Sequence, residues 1–180
     1  MSDMPSVPRV VRTLVLIVSF TGCAPAKTVS SPVEPNTALV YAYVDLGKSP
    51  SSWQQATILC RDKNGNEGWW RAMRIDGSLF YVENVPMGTC WMPAAVAVVA
   101  LRGDYHYDLG KTAETNATTT RVTRPGAVFM GAYRFESKGD DSFRLTPIRS
   151  PSEKEVLNKL RAHTDGTPWD RVVAERLRRL

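Results

Sequence analysis

Residues 56–82 read ATILCRDKNGNEGWWRAMRIDGSLFYV, and this stretch decides the fold. Three runs rich in β-branched and aromatic residues, Ala56–Arg61, Trp69–Ile75 and Leu79–Val82, are separated by two turn signals. The first is Asp62-Lys63-Asn64-Gly65-Asn66, where Asn-Gly readily takes the positive φ angles of a hairpin; the second is Asp76-Gly77. Ile58 and Cys60 fall on one strand face and Leu59 and Arg61 on the other, because successive side chains alternate. Consecutive hairpins of this kind build a sheet.

The same texture extends both ways. Thr37–Asp45 is a β-branched and aromatic run ending near Gly47 and Pro50. After Pro86-Met87-Gly88, residues Cys90–Leu101 are apolar on both faces, which predicts a central strand covered on both sides. Pro93 cannot donate a ladder hydrogen bond, so the strand should be bulged or unpaired there. A short segment around Tyr105-His106-Tyr107 is closed by Gly110, and the polar, Thr-rich Thr118–Val122 suits an edge strand. Ala127–Phe135 is expected to place Phe129, Tyr133 and Phe135 on one face with Gly131 between them, and Phe143–Ile148 completes the region. Eight or nine short strands predict a mainly β domain over 37–149, an antiparallel sandwich or partly open barrel.

Residues 150–180 have a helical period instead. Ser150-Pro151-Ser152-Glu153 reads as a cap residue, a Pro at the first helical position and a Glu at the third, before Val156, Leu157 and Leu160. The first helix should stop by Asp165-Gly166, and Thr167-Pro168-Trp169-Asp170 opens a second in the same way. Trp169, Val172, Val173, Leu177 and Leu180 form its apolar stripe, opposite Arg171, Glu175, Arg178 and Arg179. Neither helix is long enough to stand alone. The expectation is that both pack on the sandwich; binding another protein or the membrane surface is the alternative.

Leu79-Phe80-Tyr81-Val82-Glu83-Asn84-Val85-Pro86-Met87-Gly88 resembles the strand, Asn/Asp-Val-Pro-x-Gly, strand segment of prealbumin-like sandwiches, among them carboxypeptidase-regulatory-like modules. The resemblance covers about ten residues. It implies the sandwich fold and a tight turn at Gly88, and it transfers no catalytic residues.

The N-terminus reads as an export signal. Met1–Arg12 is polar with Arg9 and Arg12, Thr13–Phe20 is a short apolar run, and Thr21-Gly22-Cys23 is a small-residue end. The apolar run is too short to span a bilayer, which needs roughly 20 residues. Phe20-Thr21-Gly22-Cys23 resembles the bacterial lipobox, with Phe where Leu is usual. The resemblance implies cleavage before Cys23, diacylglycerol and palmitate-type acylation of Cys23, and, from Ala24, an outer-membrane position facing the periplasm. Residues 23–36, with Pro25, Pro32 and Pro35 and no periodicity, are expected to be a flexible tether.

The whole chain carries a net charge of +5, and losing Arg9, Arg12 and Asp3 with residues 1–22 leaves +4, which fits a solvated surface better than a basic binding patch. Nothing points to nucleic acid. Cys60 and Cys90, in an oxidising compartment, are either a disulfide or two buried thiols. His106 and His163 lack neighbours at zinc-ligand spacing, so no metal or cofactor is expected. There is no nucleophile elbow and no Gly-rich phosphate loop. Asp104 with Asp108, and Asp140 with Asp141, are better read as turn residues than as acid pairs. Asn116-Ala117-Thr118 is a glycosylation sequon on paper only.

Five tryptophans are the remaining signal. Trp69 and Trp70 point to opposite strand faces, and beside Arg71 and Arg74 an exposed Trp makes a candidate binding surface. The expectation is that the C-terminal helices cover it. Three functions follow in order: a non-catalytic, membrane-anchored accessory lipoprotein that binds an envelope protein partner; a module that binds a cell-wall or surface polysaccharide through exposed tryptophans; and an envelope hydrolase.

Overall fold

A computed structural model describes residues 29, 31–47, 52–75, 77–99, 103–110, 112–137 and 143–180. The signal segment and Cys23 lie outside the described residues, as do Asp140, Asp141 and the side chain of Asp104. Nine strands precede two helices: β1 Thr37–Asp45, β2 Ser52–Arg61, β3 Glu67–Arg74, β4 Leu79–Pro86, β5 Gly88–Val99, β6 Gly103–Asp108, β7 Thr120–Val122, β8 Gly126–Ser137, β9 Phe143–Pro147, α1 Glu153–Thr164 and α2 Asp170–Arg178.

The strands hydrogen-bond in the order β6-β5-β2-β3-β4-β1-β8-β9, with β7 pairing Gly88–Cys90 at the start of β5. β3 and β4 share only Met73–Tyr81 and Arg74–Phe80, so the ladder is thinnest there and folds over on itself. Trp53 on β2 meets Tyr107 on β6 at 5.6 Å, and both meet Phe135 on β8, at 4.9 and 5.2 Å between centroids. Strands four and six places apart in the ladder therefore touch face to face, which makes the architecture a β-sandwich with its core between β6-β5-β2-β3 and β4-β1-β8-β9. One pair departs from the antiparallel expectation: β1 and β8 run parallel, because the chain returns to β1 only after building the other half.

Bulges set which side chains reach the core. Opposite Ile58 the β5 register slips at Met92-Pro93, as the proline demands. The Pro93 carbonyl accepts from Leu109 N–H at 2.8 Å, and Met92 N–H donates to the Thr118 hydroxyl at 2.7 Å. A second slip, at Met130, corrects the face expected for β8. Phe129 points outward onto Tyr41 (5.4 Å), whereas Tyr133 and Phe135 point inward. The extra residue reverses the alternation. Gly131 permits it at φ 136°; a Cβ there would sit 2.5 Å from the Tyr133 hydroxyl, which donates to the Met130 carbonyl at 2.6 Å.

The helices cover the outer face of the second half, burying Val156, Leu157, Leu160, Trp169 and Val173 against Leu39, Tyr41, Leu79, Tyr81 and Ala127. Burying each aliphatic side chain contributes about 2 kcal/mol. The cap of α1 stands two residues beyond the expected Ser150: Ser152 N–H donates to Glu155 at 2.7 Å while Glu155 N–H donates to Ser152 Oγ at 3.4 Å. α2 has no side-chain cap bond, and the Thr167 hydroxyl instead accepts from Trp169 N–H at 3.3 Å. Leu180 leaves the expected stripe and is exposed. Arg176 grips Glu153 at 2.7 and 2.9 Å, and Glu153 accepts from the Tyr41 hydroxyl at 3.0 Å, tying both helices to β1.

Residues expected to belong to the tether are partly docked. Val29 is fully buried in the helix layer. Asn84, at φ 55° in a β4 bulge, accepts from Glu34 N–H and donates to the Pro32 carbonyl, and Glu83 accepts from Ser31 N–H. The packed body thus begins before Thr37.

Two buried phenols give the fold an alkaline limit. Burial pushes Tyr133 up to about 12, and burial with the Glu153 carboxylate pushes Tyr41 up as well. Raised values mean the folded state holds these protons more tightly, so their contribution is complete below pH 10.0, the ordinary phenol value, and is lost as pH climbs through the folded values. Thermal midpoints should fall above about pH 10, with a shallower fall in Tyr133→Phe.

Candidate interaction surface

Register places the site. Leu59 on β2 is opposite Trp69 on one side and Trp91 on the other, so all three share the outer face of the first half. Trp91 is buried with Leu59 and Ala113 and beneath the Arg61 guanidinium, whose carbon lies 5.5 Å from the ring centroid. Arg61 is held by Glu67 at 2.8 Å and Glu114 at 3.7 Å. The Glu114 carboxyl sits below the usual range because of its own backbone N–H, the Thr112 hydroxyl and, more weakly, Arg61. Trp69, on the other side of Leu59, has no such cover and is 64 % exposed.

The four residues singled out by sequence divide between two faces. Trp69 and Arg71 lie on the outer face, both exposed. Trp70 turns inward against the edge of the core, its ring lying over Gly68 in the space a side chain would occupy. Arg74 donates to the Trp53 carbonyl at 2.9 Å. The expectation that the helices cover the exposed Trp is corrected: their stripe found the larger apolar face of β1, β4 and β8. Sequence reasoning missed Arg61 and Glu67. They stand opposite each other across the Asn-Gly turn, and a cross-strand ion pair was readable from that symmetry.

Cys60 and Cys90 are direct partners on β2 and β5, their Cα atoms 4.1 Å apart, and are joined as a disulfide. Asn116 is buried, donating to the Met92, Leu109 and Gly110 carbonyls and accepting from Thr118, so its amide locks the β5 bulge and offers no acceptor for a glycan. Gly88 is required for a reason other than the expected turn: a Cβ there would collide with the Arg61 carbonyl. Beside it an open groove of about 560 Å³ is lined by Arg61, Lys63, Met87, Thr89 and Arg121. Asp108 accepts from Gly110 N–H at 3.0 Å, a turn contact.

No protein family matches the sequence, and no curated protein matches it either. Among solved structures the chain is similar to the major pilin subunit of Bacillus cereus, at 13 % identity over 53 % of this chain and 29 % of that one, with a TM-score of 0.32. It is also similar to the group B streptococcus pilus 2b backbone protein, at 11 % identity over 61 % and 41 % of the chains, with a TM-score of 0.20. The chain spans less than half the length of either. The sandwich assignment rests on the strand pairing itself. Among the described residues, no three His, Cys, Asp or Glu side chains group to hold a metal, and no helix is long and apolar enough to cross a membrane.

Proposed function

We propose that the protein is a non-catalytic accessory module of the bacterial cell envelope, lipid-anchored through Cys23 and facing the periplasm, which binds a protein partner on the surface around Trp69. The export half draws on the Arg9-to-Cys23 sequence pattern and on the Cys60–Cys90 disulfide, a bond that persists in oxidising compartments. The observation that carries the binding half is Trp69. It is the one exposed tryptophan of five, set beside Arg71 on the sheet face that the helices leave bare. A polysaccharide platform calls for several coplanar rings, and a single ring favours a protein partner. Because Val29 is buried, the anchoring segment from Cys23 reaches at most about 20 Å, so partners lie close to the bilayer.

The test is a photoreactive amino acid at position 69, activated in intact cells, with one at the exposed Lys154 on the helix layer as control. A discrete protein adduct from position 69 and none from position 154 is the expected result; equal labelling, or none, ends the binding proposal. Trp69→Ala should change stability by less than about 0.5 kcal/mol, since the side chain leaves no cavity.

A further inference from the structure

β3 is an edge for most of its length. Glu67–Met73 pair with β2, but on the other side only Met73 and Arg74 meet β4. Among the described residues, the outward backbone groups of Glu67–Ala72 meet no strand. The segment 31–36 docks on Glu83 and Asn84 of β4 and leaves this edge alone. Open edges of soluble proteins are commonly guarded by proline, a bulge or like charges that repel a second strand. Glu67-Gly68-Trp69-Trp70-Arg71-Ala72 has no proline, pairs with β2 without a slip, and carries charges of opposite sign.

Those charges stand two residues either side of Trp69. An antiparallel copy of the strand, related by a two-fold axis through Trp69, sets Glu67 opposite the second copy's Arg71, and does so twice. Trp69 then faces Trp69, on the same outer face as both ion pairs. On the inner face Trp70 faces the second copy's Gly68, over which that copy's own Trp70 ring lies, so the two Trp70 rings come together there. A two-fold axis through Gly68 or Trp70 loses both charge pairs. Cross-strand opposite charges and aromatic pairs are the units that stabilise sheet pairing.

We propose that the β3 edge pairs antiparallel with the β3 edge of a second copy of this chain, around a two-fold axis at Trp69, joining two sandwiches into one continuous sheet. This rests on reading the Trp69 surface as a contact surface, names its partner, and does not depend on the anchor at Cys23.

The test uses two differently tagged full-length copies made in the same cells. Wild type should recover the second tag. Glu67→Arg alone and Arg71→Glu alone should each cut that recovery about tenfold, because two like-charged pairs replace two opposite ones. The double exchange should restore it, although the internal Arg61–Glu67 pair stays broken, which separates self-pairing from a folding defect. No second tag with wild type, full recovery with the single variants, or no rescue by the double exchange overturns the proposal. A position-69 adduct with a different protein, without self-recovery, overturns it and leaves the binding surface standing. No adduct at all removes both.

Discussion

Trp53→Ala is expected to destabilise the protein by about 3–5 kcal/mol, the cost of emptying a fully buried tryptophan site. The ring packs on Tyr107 at 5.6 Å, Phe135 at 4.9 Å and Phe80 at 6.0 Å, drawn from strands in both halves. Its removal therefore weakens the contact between the halves as well as a local pocket. Trp53→Phe should cost less, because the phenyl ring refills part of the cavity that alanine leaves. The indole N–H is buried with no hydrogen-bond partner, so the phenyl ring gives up volume but no polar contact. Urea midpoints of the two variants measure the difference, and equal losses would mean that the ring does not bridge the halves.

The second large effect belongs to the disulfide. Cys60 and Cys90 are separated by 30 residues and close a loop containing β3 and β4. Cross-linking a loop of that length restricts the unfolded chain by about 3.5 kcal/mol. Replacing both cysteines with alanine should remove most of that stabilisation, and a reductant should do the same to wild type while leaving the alanine variant unchanged. Thermal melts with and without reductant read both. A wild type indifferent to reductant would mean that the two sulfurs act only as buried apolar groups.

The strand positions were legible because turn chemistry is local. Asn64-Gly65 and Asp76-Gly77 punctuate the chain wherever it folds, and Pro93 announced its own bulge. β2 begins four residues earlier than expected, at Ser52, because Gln54 and Gln55 hide a strand that Trp53 anchors. What the sequence pattern lacked was long-range. The slip at Met130 reverses the faces of Phe129 and Tyr133, yet nothing in Ala127–Phe135 marks the extra residue except Gly131. The parallel pairing of β1 with β8 depends on the other half having been built between them. Residues 31–36 look like a tether by composition and are docked through Asn84, some fifty positions away. At the candidate site, alternation divided Trp69 from Trp70 correctly. It was silent on which ring stays bare, because the answer lies in where the helices find the larger apolar face.

We propose that this sandwich works while held on a membrane through Cys23. The most direct measurement is metabolic labelling with radioactive palmitate of cells making wild type or Cys23→Ala, followed by membrane fractionation. The expected result is label on the wild type and none on Cys23→Ala, with wild type in the membrane fraction and the variant released from it. Equal absence of label, with both proteins soluble, would contradict the anchor and with it the placement of the Trp69 surface beside the bilayer.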